Sequence, residues 1–590
     1  MKNIKITCFV TILIVCIVCC TSQIFAQSEV LKTALQKELN RSMQELKNEE
    51  VPPYFISYFV VETINNSLSA SFGKKINNSG YRNRNGRHSR LLTVDLRIGS
   101  YELDNSHLLR GGYDPGQREA LQEDLPLLDN EKVLRNLIWN VTIKALEKAK
   151  LKYDKILSNK AVKVAAEDTS NDFSKEKPVK YSEDFRQRYY SQMAAKNATS
   201  KDAFVVDTMK WQALLCRLTE RFCKYDWLFT GEATFSTELN NKYYINSEGS
   251  ELSFSEGYYR LSIRAKTKAE DGMSLPLYKT YFSYTPDGFP SENEILQDID
   301  ALVNLLDNLR KAPEATAFTG PAILSGEASG VFFHEIFGHR VEGHREKDPM
   351  YSQTFKQALG TKVLPDFMNV IFDPTIKTFE GKEISGYYKY DDEGQQAQRV
   401  EVVKNGVFNS FLMSRSPIEG FPNSNGHGRR APGYAPVARQ SNLIVTSSLI
   451  KTDAELRKML IEEAKKQGKE YGLFFVNVQG GYTMISRFDP NAFNVTPLVV
   501  YKIFVDGRPD ELVRGVDLIG TPLTTFSNIM ATGNDIGIFN GVCGAESGWV
   551  PVSAVSPNLL VSKIEVQKKS KSQTKLPILP APNNNSDNRQ

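Results

Sequence analysis

The sequence predicts an α+β chain of two domains: an N-terminal α/β domain carrying a helical insertion, then a mostly β C-terminal domain. Three observations predict it. Runs rich in β-branched and aromatic residues, punctuated by Asn and Gly, flank a charged, helical stretch at about 115–225. After Pro313 the composition shifts to many short β-like segments. At 590 residues the chain is also too long for a single compact core. The predicted boundaries are 1–26 for an export signal, 27–311 and 312–566 for the two domains, and 567–590 for a disordered tail.

In chain order, "SEVLKTALQKELNRSMQELK" (28–47) places Leu31, Leu35, Leu39, Met43 and Leu46 at helical spacing, and Pro52-Pro53 ends it. "YFISYFVVETINNSLSASFGKK" and "RLLTVDLRIGSYEL" read as strands. "NEKVLRNLIWNVTIKALEKAKLKYDKIL" reads as a long helix, and "AAEDTSNDFSKEKPVKYSED" as a polar, mobile linker. Strands return with "WLFTGEATFSTEL", "KYYINSEGSELSFSEGYYRLSIRAKT" and "LYKTYFSYT", followed by the helix "ENEILQDIDALVNLLDNLRKA". Beyond Pro313, "FMNVIFD", "VEVVKNGVFNSFLM", "GLFFVNVQGG", "LVVYKIFVDGRPDELVRG" and "NLLVSKIEVQ" are strand-like, with "KNG" and "VDGRP" as turns.

The chain is 41% hydrophobic and 24% charged, the balance of a soluble globular protein. Lys2 and Lys5, "ITCFVTILIVCIVCC" and Ala26 make the n-region, apolar core and cleavage site of an export signal. It is too short and too abruptly polar afterwards for a stable membrane span in the mature chain. The protein is expected to be periplasmic or secreted; a lipoprotein anchor through Cys19 or Cys20 is disfavoured, because "IVCC" is a poor lipobox. The net charge of +4 falls to about +2 without the two signal lysines, so no nucleic-acid partner is expected. The mature chain keeps Cys216, Cys223 and Cys543. The first two lie seven apart in a helical run, about 10 Å of rise and too far for a disulfide, so they read as buried core thiols and Cys543 is left over.

The stretch "FFHEIFGHRVEGHRE", Phe332 to Glu346, carries three of the six histidines. Residues five apart on an α-helix sit about 140° apart around its axis, so a straight helix cannot bring His334 and His339 onto one metal. A π-bulge, or an end to the helix at Gly338, can. The apolar frame "VFFHEIF" favours partners for His334 and Glu335. Cys543, in the Gly-flanked "NGVCGAESG", is a thiol that coordination would keep reduced. His344 is a competing ligand. Glu342, one turn past His339, is either an orienting partner for that imidazole or an exposed polar residue.

"GPAILSGEASGVFFHEIFGHRVEG", "YYKYDDEGQQAQRVEVVKNGVFNSFL", "NGHGRRAPGYAPVARQSN", "VNVQGGYTMI" and "GVCGAESGWVPVSAVSPNLLVSKIEVQ" follow one another in an order that resembles the TldD/PmbA family, the modulator-of-DNA-gyrase metallopeptidases. The resemblance is to the TldD-type member with HExxxH. It covers most of 240–566 and, more loosely, 51–110; the signal and the 115–225 stretch look like additions.

The resemblance implies a two-domain TldD-like architecture and one Zn2+ per chain held by His334, His339 and Cys543. Glu335 would be the general base that takes a proton from water and passes it to the leaving amine. It implies small or unstructured peptide substrates, and a homodimer or a heterodimer with a PmbA-like paralogue. The rival readings are a non-catalytic PmbA-like binding subunit and a zinc amidase acting on cell-wall peptide. Arg429 and Arg430 are candidate holders of a peptide carboxylate, and Gly480 and Gly481 a candidate bed for an extended substrate. Asp391-Asp392-Glu393-Gly394 resembles a family turn. The chain departs from the family at Ala545-Glu546-Ser547-Gly548, at Val555-Ser556-Pro557 and at His427, where Asn is usual. His427 is read as a solvated loop residue in preference to a pH-sensitive contact.

Overall fold

The computed structural model describes residues 29–76, 87–108, 120–160, 168–183, 206–487, 493–520 and 522–569. The signal and all but the start of the tail lie outside them. Among the described residues no helix is long and apolar enough to cross a membrane.

The N-terminal domain is built on long antiparallel strands: β1 (Pro53–Ser71), β2 (Arg87–Ile98), β3 (Thr230–Asn246), β4 (Glu251–Lys268) and β5 (Ser274–Ser283). Their order is β2-β1-β3-β4-β5. Side chains alternate between faces, and in β3 the odd-numbered Ala233, Phe235, Leu239, Tyr243 and Ile245 are buried. All the covering helices therefore lie on that one face. Helix α1 (29–45) and α2 (Glu131–Lys160) bury Leu31, Leu35, Leu134 and Ile138 against Ile56, Tyr58 and Leu92. Helix α3 (Thr208–Glu220) and α4 (Glu292–Lys311) close the other end, with Trp211 stacked 3.7 Å from Phe235. The two helices of the 115–225 stretch thus belong to this domain's own core. The opposite face, with Phe59, Val61, Tyr244 and Phe254, meets Tyr390 of the C-terminal domain.

Two expectations are corrected. The linker is partly packed: Phe173 is buried, with the guanidiniums of Arg97 and Arg415 at 3.7 and 3.9 Å from its ring, and Lys180–Ser182 pairs in parallel with Glu251–Ser253. Cys216 is only half-buried and Cys223 is exposed, because the helix ends at Glu220 and a 3-10 turn carries Cys223 outward.

The C-terminal domain folds around a mixed sheet of twelve strands among the described residues. The strands that place the site are β6 (Phe318–Leu324), β7 (Asn442–Ser447), β8 (Tyr471–Thr483), β9 (Phe493–Phe504), β10 (Val516–Gly520), β11 (Ile529–Ala545) and β12 (Gly548–Lys568). The last is the spine, pairing with β6, β7, β10 and, as a hairpin, β11. Strand β6 lies between β12 and β8 and stops at Leu324. Helix α5 (Gly326–Ile336) continues its path, over a core that includes Phe332, Phe333, Phe337, Phe355 and Phe526.

Candidate metal centre

Ser325 starts α5 by accepting a hydrogen bond from Ala328 N, and its hydroxyl donates to Val476 O of β8 at 2.7 Å. The small residues of "SGEASG" let the helix sit against backbone. A Cβ on Gly326 would lie 2.1 Å from Gly537 N, and one on Gly330 would lie 3.0 Å from Ala554 O. After Ile336 the α-helix ends, and Gly338–Arg340 forms a 3-10 turn. This rewinding answers the five-residue spacing: of the two devices that allow it, the helix end is the one present. The His334 and His339 rings come to 5.1 Å between centroids, 80° apart. Gly338 is needed for space. A Cβ there would meet Gln440 Oε1 at 1.9 Å, and Gln440 Nε2 donates to His334 O at 3.2 Å.

The hairpin β11–β12 supplies Cys543, whose Sγ lies 3.4 Å from His339 Nε2. One ligand atom from each of His334, His339 and Cys543 falls within 4.8 Å of the others. A tetrahedral ion bonded at roughly 2.0–2.3 Å separates neighbouring ligands by roughly 3.3–3.8 Å. The Cys543–His339 distance of 3.4 Å falls in that range, the 4.8 Å limit on the whole set lies about 1 Å outside it, and two imidazoles and a thiol suit zinc with one position left open. Burial opposes ionisation of the Cys543 thiol, yet His339, then His334 and Arg439, hold it well below the usual range. Burial likewise opposes a charge on His339, and Cys543 and Glu342 overcome it, leaving its imidazole well above the usual range. Each of these two shifts is driven by the other group, and their attraction favours the thiolate, the form a metal requires of sulfur.

Glu335 is buried against β8: a Cβ on Gly481 would lie 2.6 Å from its Cγ. Burial raises its carboxyl pKa, while the neighbouring His334 and His339 lower it. Glu342 is 0% exposed, so it is not the exposed polar residue that was one of its two readings. Its Oε2 lies 3.3 Å from His339 Nδ1 and accepts from Arg345 Nε and Nη2 at 2.9 and 2.7 Å. Burial alone would raise that carboxyl; Arg345, then His339, bring it down to about 2. Holding Nδ1 in this way turns Nε2 towards Cys543.

Sequence reasoning missed the rest of this network. Glu546, at the hairpin tip, lies 2.5 Å from His344 Nε2 and accepts from Arg345 Nη2 at 2.9 Å. His344 is committed there and not to the cluster. Arg439, fully buried, donates to Cys543 O, Ser547 Oγ and Gly548 O at 2.7, 2.7 and 2.9 Å. The available signal was the density of charge in "GHRVEGHRE" within an apolar frame, since buried charges require partners.

Of the remaining candidates, Gly481 borders Glu335 and the arginines lie elsewhere. Arg429 donates to Gln440 O and Pro551 O at 2.7 and 2.9 Å, and its guanidinium stands 4.6 Å from the Tyr388 ring. Arg430 stands 4.5 Å from the Phe59 ring and donates to Tyr434 O at 3.3 Å. Both line a cleft of about 320 Å³ between the domains, with Tyr284, Tyr387 and Trp549, which the three ligands do not border. Gly480 sits at a bulge with φ +144°, a conformation that favours glycine. Asp391 orders its own turn, accepting from Glu393 N, Gln395 N and Gly428 N. His427 is corrected from a solvated residue to one with 0% exposure: burial pushes it down to about 3, and it lies 3.3 Å from Ser441 Oγ and 3.1 Å from Asn425 O.

Residues 318–568 match the family described as PmbA/TldA metallopeptidase C-terminal domain. A "Metalloprotease" of Archaeoglobus fulgidus is 30% identical over 267 residues, covering 45% of this chain and 56% of its own length. A "Zinc metalloprotease TldD homolog" of Saccharolobus solfataricus is 25% identical over 336 residues, covering 56% of this chain and 69% of its own. The chain therefore spans about half to two thirds of the length of the curated relatives it matches. The crystal structure of TldE from Thermococcus kodakarensis superposes with a TM-score of 0.55 at 12% identity, covering 90% of this chain and 100% of that one, a likeness of fold.

Proposed function

We propose that this chain, which belongs to the TldD/PmbA family, is an exported zinc-dependent peptidase hydrolysing small or unstructured peptides. The observation that carries the reading is the donor set of two imidazoles and one thiol, with His339 and Cys543 buried and His334 half-buried, beside the carboxyl of Glu335. Zinc, when bound, supplies a Lewis acid able to polarise a peptide carbonyl and to acidify water towards neutral pH. His334, His339 and Cys543 would hold it. Glu335, whose carboxyl pKa burial raises above its ordinary value, takes a proton from water and returns it to the leaving amine. Glu342 fixes the His339 ring, and Arg439 fixes the hairpin that bears Cys543. A homodimer, or a heterodimer with a PmbA-like paralogue, and a periplasmic or secreted location complete the proposal.

The test is elemental analysis and a peptide-library assay on the chain from Gln27, with Cys543→Ala and Glu335→Gln alongside. About one zinc per chain, lost in Cys543→Ala, with cleavage abolished and zinc retained in Glu335→Gln, is expected. Zinc held equally tightly by Cys543→Ala overturns the ligand set. Zinc without any cleavage by the wild type overturns the peptidase reading in favour of a non-catalytic subunit.

A further inference from the structure

Two side chains interrupt the burial of α5. Glu327 and His334 are half-exposed, while every other residue from Gly326 to Ile336 is buried. Seven residues are close to two full turns, so the two share one stripe of the helix, about 10 Å apart along its axis. The accessible surface of the His334-bearing helix therefore consists of the cluster at one end and a carboxylate at the other.

An acidic residue in the first turn ordinarily serves the helix dipole from a solvated position. Glu327 is poorly solvated instead, and burial pushes its carboxyl up to about 7. Its hydrogen-bond partner among the described residues is the neutral Asn477 amide, at a long 3.4 Å. The cation whose charge it feels, Lys279, lies 3.7 Å from Asp298. Such a carboxylate is short of positive charge, and an arriving ammonium would supply it.

An extended peptide advances about 3.4 Å per residue, so 10 Å along the stripe corresponds to about three residues. We propose that Glu327 is a specificity-determining residue that takes the ammonium of a peptide, at its N-terminus or on a lysyl side chain, about three residues from the bond held at the cluster. This rests on the peptidase reading above.

The test uses the zinc-loaded chain and three unstructured hexapeptides: one with a free N-terminus, its N-acetylated form, and an N-acetylated form with lysine near the first position. Wild type, Glu327→Gln and Glu327→Asp are compared, with products mapped by mass spectrometry. Calorimetric binding to Glu335→Gln, with and without Glu327→Gln, provides a second readout. Cleavage about three residues from the free amine is expected, with acetylation raising KM about tenfold and leaving kcat within about twofold. Glu327→Gln should erase that ratio and Glu327→Asp keep part of it. Rescue of the acetylated peptide by lysine assigns the ammonium to a side chain; no rescue assigns it to the N-terminus. If nothing is cleaved but binding still discriminates free from acetylated peptide through Glu327, the peptidase reading falls and this recognition stands. A free-to-acetylated ratio unchanged by Glu327→Gln, in both cleavage and binding, overturns the proposal.

Discussion

Gly326→Ala is expected to loosen both the fold and the metal centre, because two glycines meet backbone to backbone where α5 enters the sheet. An added Cβ would lie 2.1 Å from Gly537 N and 2.5 Å from Ser556 O, whereas Cβ contacts under 3.0 Å essentially never occur. The helix must therefore lift by about 0.9 Å, and no flexible side chain is available to absorb it. Overpacking of this kind costs about 1–3 kcal/mol, and contact with backbone on both sides points to the upper end. The helical preference of Ala over Gly offsets about 0.5–1 kcal/mol, leaving about 2 kcal/mol. The same lift separates His334, on the helix, from Cys543, on the strand that carries Gly537. A site held to about 0.5 Å does not tolerate it, so zinc affinity should fall about tenfold or more. Urea unfolding in chelator measures the first effect, and competition with a chromophoric chelator the second. Unfolding free energy within about 0.5 kcal/mol of wild type and zinc affinity within about twofold would refute the packing argument.

Two further substitutions probe buried charge. Glu342→Gln leaves Arg345 and Arg439 facing a neutral amide, and should cost about 3 kcal/mol in urea unfolding, the low end for a broken buried pair, because Gln still accepts hydrogen bonds. It should also weaken zinc binding about 10–100-fold through the freed His339 ring, and unchanged binding would argue against that orienting role. His427 sits near 3 when folded and near 6.5 when unfolded, so the unfolded chain takes up the proton first as pH falls. Its contribution is complete above about pH 6.5 and is lost on the way down to 3, reaching about 2 kcal/mol at pH 5. His427→Asn should flatten the fall in stability between pH 7 and 5 by about that amount; parallel pH profiles for the two proteins would remove His427 as its cause.

The elements that were legible are those whose pattern is local. Leu31, Leu35 and Leu39 at helical spacing announce α1, and all three are buried, together with Ala34, Glu38 and Ser42. The His334–His339 spacing was readable as a geometric problem with two solutions, but choosing between them required seeing Gln440 pressed against Gly338 from a distant segment. Cys543 stands 204 residues from His339, and periodicity carries nothing across that gap; a leftover thiol and a family resemblance pointed to it. The carboxylate–guanidinium network had neither aid. Glu546 meets Arg345 across 201 residues, a separation over which no local pattern could assign it the role of locking the hairpin to the helix. The linker failed for the opposite reason. Its composition is that of a disordered segment, yet Phe173 lies beside two guanidiniums from Arg97 and Arg415, and no average over twenty residues can register a single aromatic anchor. What the sequence hides here is the part of this pairing that spans the chain: Glu342 meets His339 and Arg345 three residues away, but Arg345 meets Glu546 and Arg439 meets Glu342 and the Cys543 carbonyl only in the fold.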